Sequence, residues 1–399
     1  MSTQIRQTLV MTRANFGSLR RRLAISLSMV LSVALVVAVL AGFLAMARGF
    51  ERALTSTGSP LVAVVLGGGT NQETGSDIPA DAIRGVESLT GATTADIVRD
   101  ANGTPLVSRE LVVPVDVAGR QTSTAALRGM DANGPSIREG ITLQAGRLFT
   151  PGAREIMVGA RIAADFTGFA IGDTVRLGTV DWTVVGHFTA SGSAFESEIW
   201  GDLDAVRAGF DRQGQVQSLR LRLATPASLA VLKAGLATIT STPLVAISEA
   251  DLYAAQSGRT ASLIRLFGWP VALLMAIGAT AGALNTMMSS VSDRTIEIAT
   301  VRALGFGRLP AFLATWFEAV ALAAAGVMLG ILASWLLFNG WEASTVGAND
   351  ASMGFRLAVD ADVMVPAGLL GLTIGIIGGA LPAIAATRLP LTAALRARG

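Results

Sequence analysis

Few side chains in this sequence could carry out chemistry. The chain has no cysteine, which excludes thiol nucleophiles, disulfides and metal–thiolate clusters. Its one histidine, His187, cannot form a two-histidine metal site, and we expect it to be an ordinary residue of a strand over 182–188. The only lysine, Lys233, lies in Val-Leu-Lys-Ala-Gly and not in the Gly-Lys-Ser/Thr of a P-loop. The sequence therefore predicts a chain that is no enzyme and binds no cofactor.

Three further patterns could mark a site. Glu196 and Glu198 could form an acidic pair, but no second group accompanies them, and we expect a solvated loop over 193–202. The glycines at 67–69 could hold a phosphate, but no helix follows at the spacing that such a site needs, so we expect a turn. Glu318 is an acid within an apolar run, which makes it a functional candidate. A proton relay needs several sites, so we expect Glu318 to serve an interface, paired with Arg302 or Arg308.

The composition is typical of a membrane protein. Only 15% of the residues are charged and 51% are hydrophobic, with a mean hydropathy of +0.55, whereas soluble chains have about 25% charged residues. Four long runs carry no charge except Glu318, and each is long enough to cross a hydrocarbon layer of roughly 30 Å. They cover residues 23–47, 266–291, 311–338 and 363–387. The first run could also be a signal peptide cleaved after Ala47, but it is longer than a signal h-region.

Charge sets the expected orientation. Residues 1–22 carry five arginines and no acid, the tail 388–399 carries three arginines and no acid, and 48–262 holds 18 basic and 22 acidic residues. Because basic flanks stay in the cytoplasm, we expect both termini to be cytoplasmic and 48–262 to lie outside. The predicted organisation is a cytoplasmic amphipathic segment 1–22, span 23–47, extracytoplasmic domain 48–262, span 263–291, cytoplasmic helix 292–309, span 310–338, short outer loop 339–362, span 363–387 and cytoplasmic tail 388–399.

The predicted fold is therefore an α-helical membrane protein with four transmembrane helices, plus an α+β extracytoplasmic domain between the first and second spans. Alternating patterns predict two strand–helix–strand units, one over 61–98 and the other over 216–247. We expect these two units to form one subdomain and the strand-rich stretch between them to form a second. Within that stretch, 154–188 predicts strand, helix, strand, turn and strand. A helix around 249–258 should continue toward the second span.

The inner loop carries the most specific pattern. Asp293 could cap a short helix over 294–304, and Gly305 suits the left-handed conformation that ends one. One interpretation is a helix lying on the membrane surface. Another follows from the sequence RTIEIATVRALG at 294–305, which closely resembles the coupling-helix motif of the FtsX/MacB-type permeases of ABC transporters. This resemblance implies that an ATPase contacts the following residues: Asp293, Arg294, Glu297, Ile298, Val301, Arg302, Leu304 and Gly305.

Other parts of the chain carry the same resemblance. The stretch from Pro382 to Arg396 is similar to the family's last span and tail, and 15–22 is similar to its amphipathic helix before the first span. Residues 154–188 resemble the MacB-type periplasmic core domain. The resemblance implies a permease subunit that transmits movement from a separate ATPase, which binds the ATP and Mg, to the outer domain. A dimer with a second copy or a related permease, a periplasmic adaptor and the lipid membrane are the other implied partners, without nucleic acid.

Two functions remain open at the level of sequence. One is export or extraction of a hydrophobic or amphipathic substrate, and the other is control of a cell-wall hydrolase or signalling without transport. An ion-coupled transporter is disfavoured, because Glu318 is the only charge within the four apolar runs. Glycines spaced by four residues predict close helix packing within the spans. They are Gly278 and Gly282, Gly326 and Gly330, and Gly371, Gly375 and Gly379.

Overall fold

The structure is a computed structural model that describes residues 2–18, 23–70, 72–91, 96–117, 123–239, 242–346 and 352–388. The arginines at 20–22, the tail after Arg388 and part of the outer loop lie outside these ranges. The chain divides into two compact units. The helical unit comprises Met1–Arg48, Ser262–Trp341 and Leu357–Gly399, and the sheet unit comprises Gly49–Ala261 and Glu342–Arg356.

The helices are α1 Ser2–Ser18, α2 Leu23–Thr55, α3 Ala80–Gly91, α4 Gly134–Ile137, α5 Ala160–Asp165, α6 Leu203–Gly209, α7 Ser228–Leu236, α8 Glu249–Asp293, α9 Thr295–Ala303, α10 Arg308–Phe338 and α11 Ala361–Arg388. The strands are β1 Val62–Gly67, β2 Val107–Val117, β3 Ser123–Met130, β4 Thr142–Gly146, β5 Glu155–Gly159, β6 Thr174–Leu177, β7 Val180–Thr189, β8 Glu198–Asp202, β9 Ser218–Arg222, β10 Leu244–Ser248, β11 Glu342–Val346 and β12 Ser352–Arg356.

Among the described residues, four helices are long and apolar enough to cross a membrane: α2, α8, α10 and α11. Each contains one of the apolar runs of the sequence. The helix α8 is continuous over 45 residues, which confirms that the helix around 249–258 continues into the second apolar run. Apolar side chains of α2, α8, α10 and α11 form the core of the helical unit.

Glycines allow three of these helices to approach closely. A Cβ atom added to Gly326 would lie 2.7 Å from the backbone oxygen of Val30, and one added to Gly330 would lie 2.6 Å from that of Ala34. Only glycine therefore lets α10 lie this close to α2. The glycines of α11 predicted to pack closely also meet neighbouring helices at short distances: Gly371, Gly375 and Gly379.

The predicted packing role of Gly278 and Gly282 has no counterpart within this chain. A Cβ atom added to either glycine meets nothing within 4 Å among the described residues. These two positions on α8 thus differ from the glycines of α10 and α11, which touch another helix of the same chain.

The sheet unit contains one ten-stranded sheet in the order β10-β1-β9-β2-β3-β8-β5-β7-β4, with β6 paired to β7. The two predicted subdomains are therefore continuous through backbone hydrogen bonds, which is a correction. Their cores remain distinct: one apolar cluster lies beneath α3 and α7, and another is formed by β2, β3, β5, β7 and β8 with α6. The parallel pairs are β3 with β8 and β5 with β7.

Most of the predicted element order is present. The unit β9, α7, β10 matches the second strand–helix–strand prediction, and β5, α5, β6, β7 match the prediction for 154–188. The strand predicted at 93–98 lies partly outside the described ranges, which begin again at residue 96. Within them, Ile97 forms an isolated bridge to Leu223.

The outer loop 339–362 is more ordered than its polar sequence suggested. Its described residues form the antiparallel hairpin β11–β12, which belongs to the sheet unit. The Gly354 amide donates to the Ser197 hydroxyl at 3.2 Å, and the Phe355 ring meets that of Phe50 edge to face at 5.5 Å. The hairpin therefore packs on the sheet unit through specific contacts.

Candidate coupling site

The short helix α9 lies between two long helices and differs slightly from its predicted form. The preceding helix α8 includes Asp293, and the N-cap of α9 is Arg294, without a side-chain capping bond. The predicted cap at Asp293 was therefore wrong, because α8 continues two residues beyond its uncharged run and includes Asp293. Gly305 has a φ of +96°, which confirms the left-handed conformation expected after the helix.

The residues predicted to contact an ATPase divide into two faces of α9. Four of the predicted contact residues are exposed: Asp293, Glu297, Leu304 and Gly305. The neighbouring strip is also exposed and consists of Ile296, Thr300 and Ala303. Leu304 has 76% and Ile296 has 51% of its surface exposed. Arg294 and Ile298 are buried, and Val301 and Arg302 are half-buried. The last four residues thus lie toward the rest of the chain, and we reassign Arg294 and Ile298 from partner contact to holding α9 in place.

Arg294 joins three helices at the start of α9. Its guanidinium donates to Glu318 of α10 at 2.9 Å and also to the side-chain oxygen of Asn15 of α1. All three side chains are buried, with no more than 6% of their surface exposed. The expected partners of Glu318 were Arg302 and Arg308, so this pairing is a correction. A buried charge that loses its partner is costly, so this triad fixes the joint between α8 and α9.

The inward face of α9 makes further contacts. Arg302 donates to the backbone oxygen of Thr387 in α11 at 2.9 Å. Ile298 packs with Val291 of α8 and Ala386 of α11. Val301 packs against a small cluster formed by Met11, Ala311 and Ala314. The helix α9 is thus held by α1, α10 and α11 on one side and offers an apolar strip with one carboxylate on the other.

A second set of charges lies inside the sheet unit. Three arginines and four glutamates are buried together across four strands, two loops and the first residue of α8. They are Arg128, Arg138, Arg220, Glu73, Glu110, Glu198 and Glu249. Sequence reasoning placed Glu198 in a solvated loop and did not single out the other six. The available signal was a charged residue at an inward position of an apolar strand, such as Arg128 in STAALRGM.

The members of this network hydrogen-bond to one another, while Nε of Arg138 and Nη2 of Arg220 are buried without a hydrogen-bond partner among the described residues. Arg128 donates to both oxygens of Glu198, at 2.9 and 2.6 Å, and to Glu73 at 2.9 Å. Arg138 donates to both oxygens of Glu110, at 2.9 and 2.6 Å, and lies 5.2 Å from the Trp200 ring centre, within cation–π range.

These contacts control ionisation. Burial alone would raise the pKa of Glu110, but the charges of Arg138, Arg220 and Arg128 lower it to about 2. Burial likewise opposes the charge of Glu73, and Arg128 and Arg220 nevertheless hold the pKa of Glu73 well below its usual value. Both carboxylates are therefore ionised at neutral pH and keep the arginines in place.

This network reaches the first turn of α8. Arg220 donates through Nε to Glu249 at 2.8 Å and through Nη1 to Glu73 at 2.7 Å. Glu249 is the first residue of α8. The central strands are therefore tied by a buried ion pair to the beginning of the helix that contains the second candidate span.

The other sequence candidates have structural roles. His187 lies in β7 and its Nε2 atom is 2.6 Å from the backbone oxygen of Phe169. Glu196 accepts from the amides of Ala190 and Gly192, both at 2.9 Å, and so stabilises a turn. Within the described ranges, no group of three side chains is arranged to hold a metal ion.

Four candidate spans, with a mixed α/β domain between the first and second, define a multi-pass membrane protein with a large extracytoplasmic domain. Comparison with known families identifies its class. The sequence matches the MacB-like periplasmic core domain over residues 25–239 and the FtsX-like permease C-terminal domain over 269–391. The chain therefore belongs to the FtsX/MacB-type family of ABC transporter permeases, which work with an ATPase.

Two solved structures of transporter domains match part of the chain. One is the periplasmic region of MacB from Actinobacillus actinomycetemcomitans, with 14% identity, a TM-score of 0.36 and coverage of 49% of this chain and 92% of that one. Another is the extracellular domain of the noncanonic ABC-type transporter YknZ from Gram-positive bacteria, with 13% identity, a TM-score of 0.33 and coverage of 46% and 99%. Comparison with curated proteins gives no match.

Proposed function

We propose that this chain is the permease subunit of an ABC complex in which a separate ATPase drives movement of the sheet unit. The ATPase binds ATP and Mg and docks on the exposed strip of α9, while this chain binds no cofactor. The observation that carries the proposal is the two-sided character of α9 within a chain of this family. One side is fixed to α1, α10 and α11 by buried contacts, and the other presents Leu304 and Glu297.

Movement of α9 would reach the rest of the chain through rigid elements. The triad of Arg294, Glu318 and Asn15 ties α9 to α10 and α1, so a push on α9 displaces these helices together. The helix α8 has no break in its assigned helix from Glu249 to Asp293, and the Arg220–Glu249 pair holds its first turn to the sheet. A network of buried charges makes the sheet unit stiff enough to move as one body.

The orientation belongs to the same proposal. Both termini and α9 are cytoplasmic and the sheet unit is outside, supported by the arginine-rich ends of the chain. The complex contains two permeases, either two copies or this chain with a related one, and contacts a periplasmic adaptor. Its movements export or extract a hydrophobic or amphipathic substrate, so this chain acts by mechanotransmission.

Reversal of one charge on α9 tests the proposal. Glu297 is exposed, and its carboxylate lies 3.6 Å from Nε of Arg294. Because solvent screens a pair with one exposed member, Glu297→Lys should leave folding and membrane insertion intact. It should abolish copurification with the ATPase, because like charges at an interface cost several kcal/mol. Glu87→Lys, an exposed glutamate of α3, is the matched control and should copurify normally.

The surface-helix interpretation predicts the opposite result. A lysine on a helix that lies on lipid is attracted to anionic headgroups by about 1 kcal/mol. Normal complex formation and ATP turnover with Glu297→Lys, and also with Leu304→Ser, would refute docking of the ATPase on α9.

A further inference from the structure

The helix α1 has one face packed on the helical unit and another that no described residue covers. On the packed face, Met11 lies against Ala311 and Ala314, and the Gln7 side chain accepts from the Gly307 amide at 3.3 Å. Asn15, one turn farther along, contacts Arg294. All of these contacts involve α9 or the first two turns of α10.

These contacts fix the depth of α1. Because α10 is 31 residues long, it extends over roughly 46 Å and exceeds a hydrocarbon layer of about 30 Å. Its apolar run begins at Ala311, just after Arg308, so we expect the first turns of α10, with α1 beside them, at the membrane boundary. Only residues 19–22 separate α1 from α2, which keeps the end of α1 close to the start of the first span.

The uncovered face of α1 has two adjacent zones. Ile5, Leu9 and Phe16 are exposed large apolar residues, and Leu9 has 66% of its surface exposed. With 3.6 residues per turn, these three residues fall within about 40° around the helix. Arg6 and Arg13 are also exposed and lie directly beside this apolar zone. The helix contains no acidic residue.

We infer that α1 binds anionic phospholipid headgroups of the leaflet in which it lies. The apolar zone enters the boundary between headgroups and acyl chains, while Arg6 and Arg13 contact the headgroup phosphates and favour lipids with a net negative charge. Only four residues of sequence separate α1 from α2, which contains the first candidate span, and the apolar zone lies beside a basic zone; both favour lipid over a protein as its occupant. Because Asn15 of α1 contacts Arg294, lipid bound to α1 would also affect the position of the Arg294–Glu318 pair.

The inference depends on membrane insertion of this chain but not on an ATPase, so its test is independent of the proposed docking on α9. Because the chain has no cysteine, Leu9→Cys provides a single site for a bimane label. The full chain is reconstituted in equimolar phosphatidylcholine and phosphatidylglycerol. Two preparations differ only in which of the two lipids carries bromine on its acyl chains.

Brominated phosphatidylglycerol should quench the label about twofold more than brominated phosphatidylcholine, because Arg6 and Arg13 attract anionic headgroups. The ratio should fall to near one in Arg6→Gln/Arg13→Gln, which leaves the packed face of α1 unchanged. Arg84→Gln/Arg154→Gln removes the same charge from exposed positions of the sheet unit and should keep the twofold ratio.

Three results would overturn the inference. A ratio near one in the chain with both arginines would refute the preference for anionic headgroups, as would a twofold ratio that survives their removal. Weak quenching by both brominated lipids, with strong quenching by acrylamide in water, would show that the uncovered face of α1 is open to the aqueous phase and available to a protein.

Discussion

Removing the charge of Glu318 should uncouple the joint between α8 and α9. The carboxylate is 3% exposed and its guanidinium partner Arg294 is 5% exposed, so solvent screens this pair little. Glu318→Gln keeps the volume of the side chain but leaves a buried cation without its counter-charge. A buried pair broken in this way costs about 3–5 kcal/mol. For a unit of this size, that loss corresponds to a melting temperature lowered by about 6–20 °C.

The assay is thermal unfolding of the full chain in detergent, followed by tryptophan fluorescence. A cycle of Arg294→Met, Glu318→Met and the double variant separates the pair from its members, because the double variant removes both charges and should recover most of the loss. Arg308→Gln is the matched control, since Arg308 is exposed and should change stability little. Additive losses in the double variant, or an equal loss for Arg308→Gln, would refute the assignment of the pair.

Two further predictions concern other parts of the chain. The pKa of Glu110 is lowered from 4.5 to about 2. The stabilising effect of this carboxylate is therefore complete above pH 4.5 and is lost as the pH falls toward 2. Glu110→Gln should flatten this part of an acid titration of the full chain followed by near-UV circular dichroism. Gly330→Ala should destabilise the helical unit by about 1–3 kcal/mol through overpacking. Gly278→Ala should be tolerated, because no other described residue lies within 4 Å of a Cβ atom added there. Equal melting temperatures for the two variants would contradict the packing of α10 on α2.

The elements that depend on local sequence were predictable. Long uncharged runs identify spans because a bilayer tolerates few charges, and α2, α8, α10 and α11 each contain one. The strand–helix–strand unit of β9, α7 and β10 follows from alternating and helical patterns, which neighbouring residues determine. The end of α9 at Gly305 was likewise predictable, because the left-handed conformation favours glycine.

The contacts that depend on distant residues were not predictable. Arg294 and Glu318 are 24 positions apart, whereas the expected partners Arg302 and Arg308 are nearer to Glu318 in the sequence. The charge network joins Glu73 to Arg220 across 147 positions, and a single charged residue in an apolar strand does not reveal its partner. Glu198 seemed to lie in a loop because its neighbours are polar, yet β3 and β5 bury it as part of β8.

The central claim is that ATP use by a partner moves the sheet unit through α9. Since the chain has no cysteine, Val231→Cys, an exposed position of α7, can carry one spin label per permease in the purified complex. Pulsed electron–electron double resonance then measures the distance between the two labels with and without ATP and vanadate. We predict that trapping the ATPase shifts the distance distribution and that Leu304→Ser reduces this shift. Identical distributions in the free and trapped states, in a complex that hydrolyses ATP, would contradict the proposed mechanism.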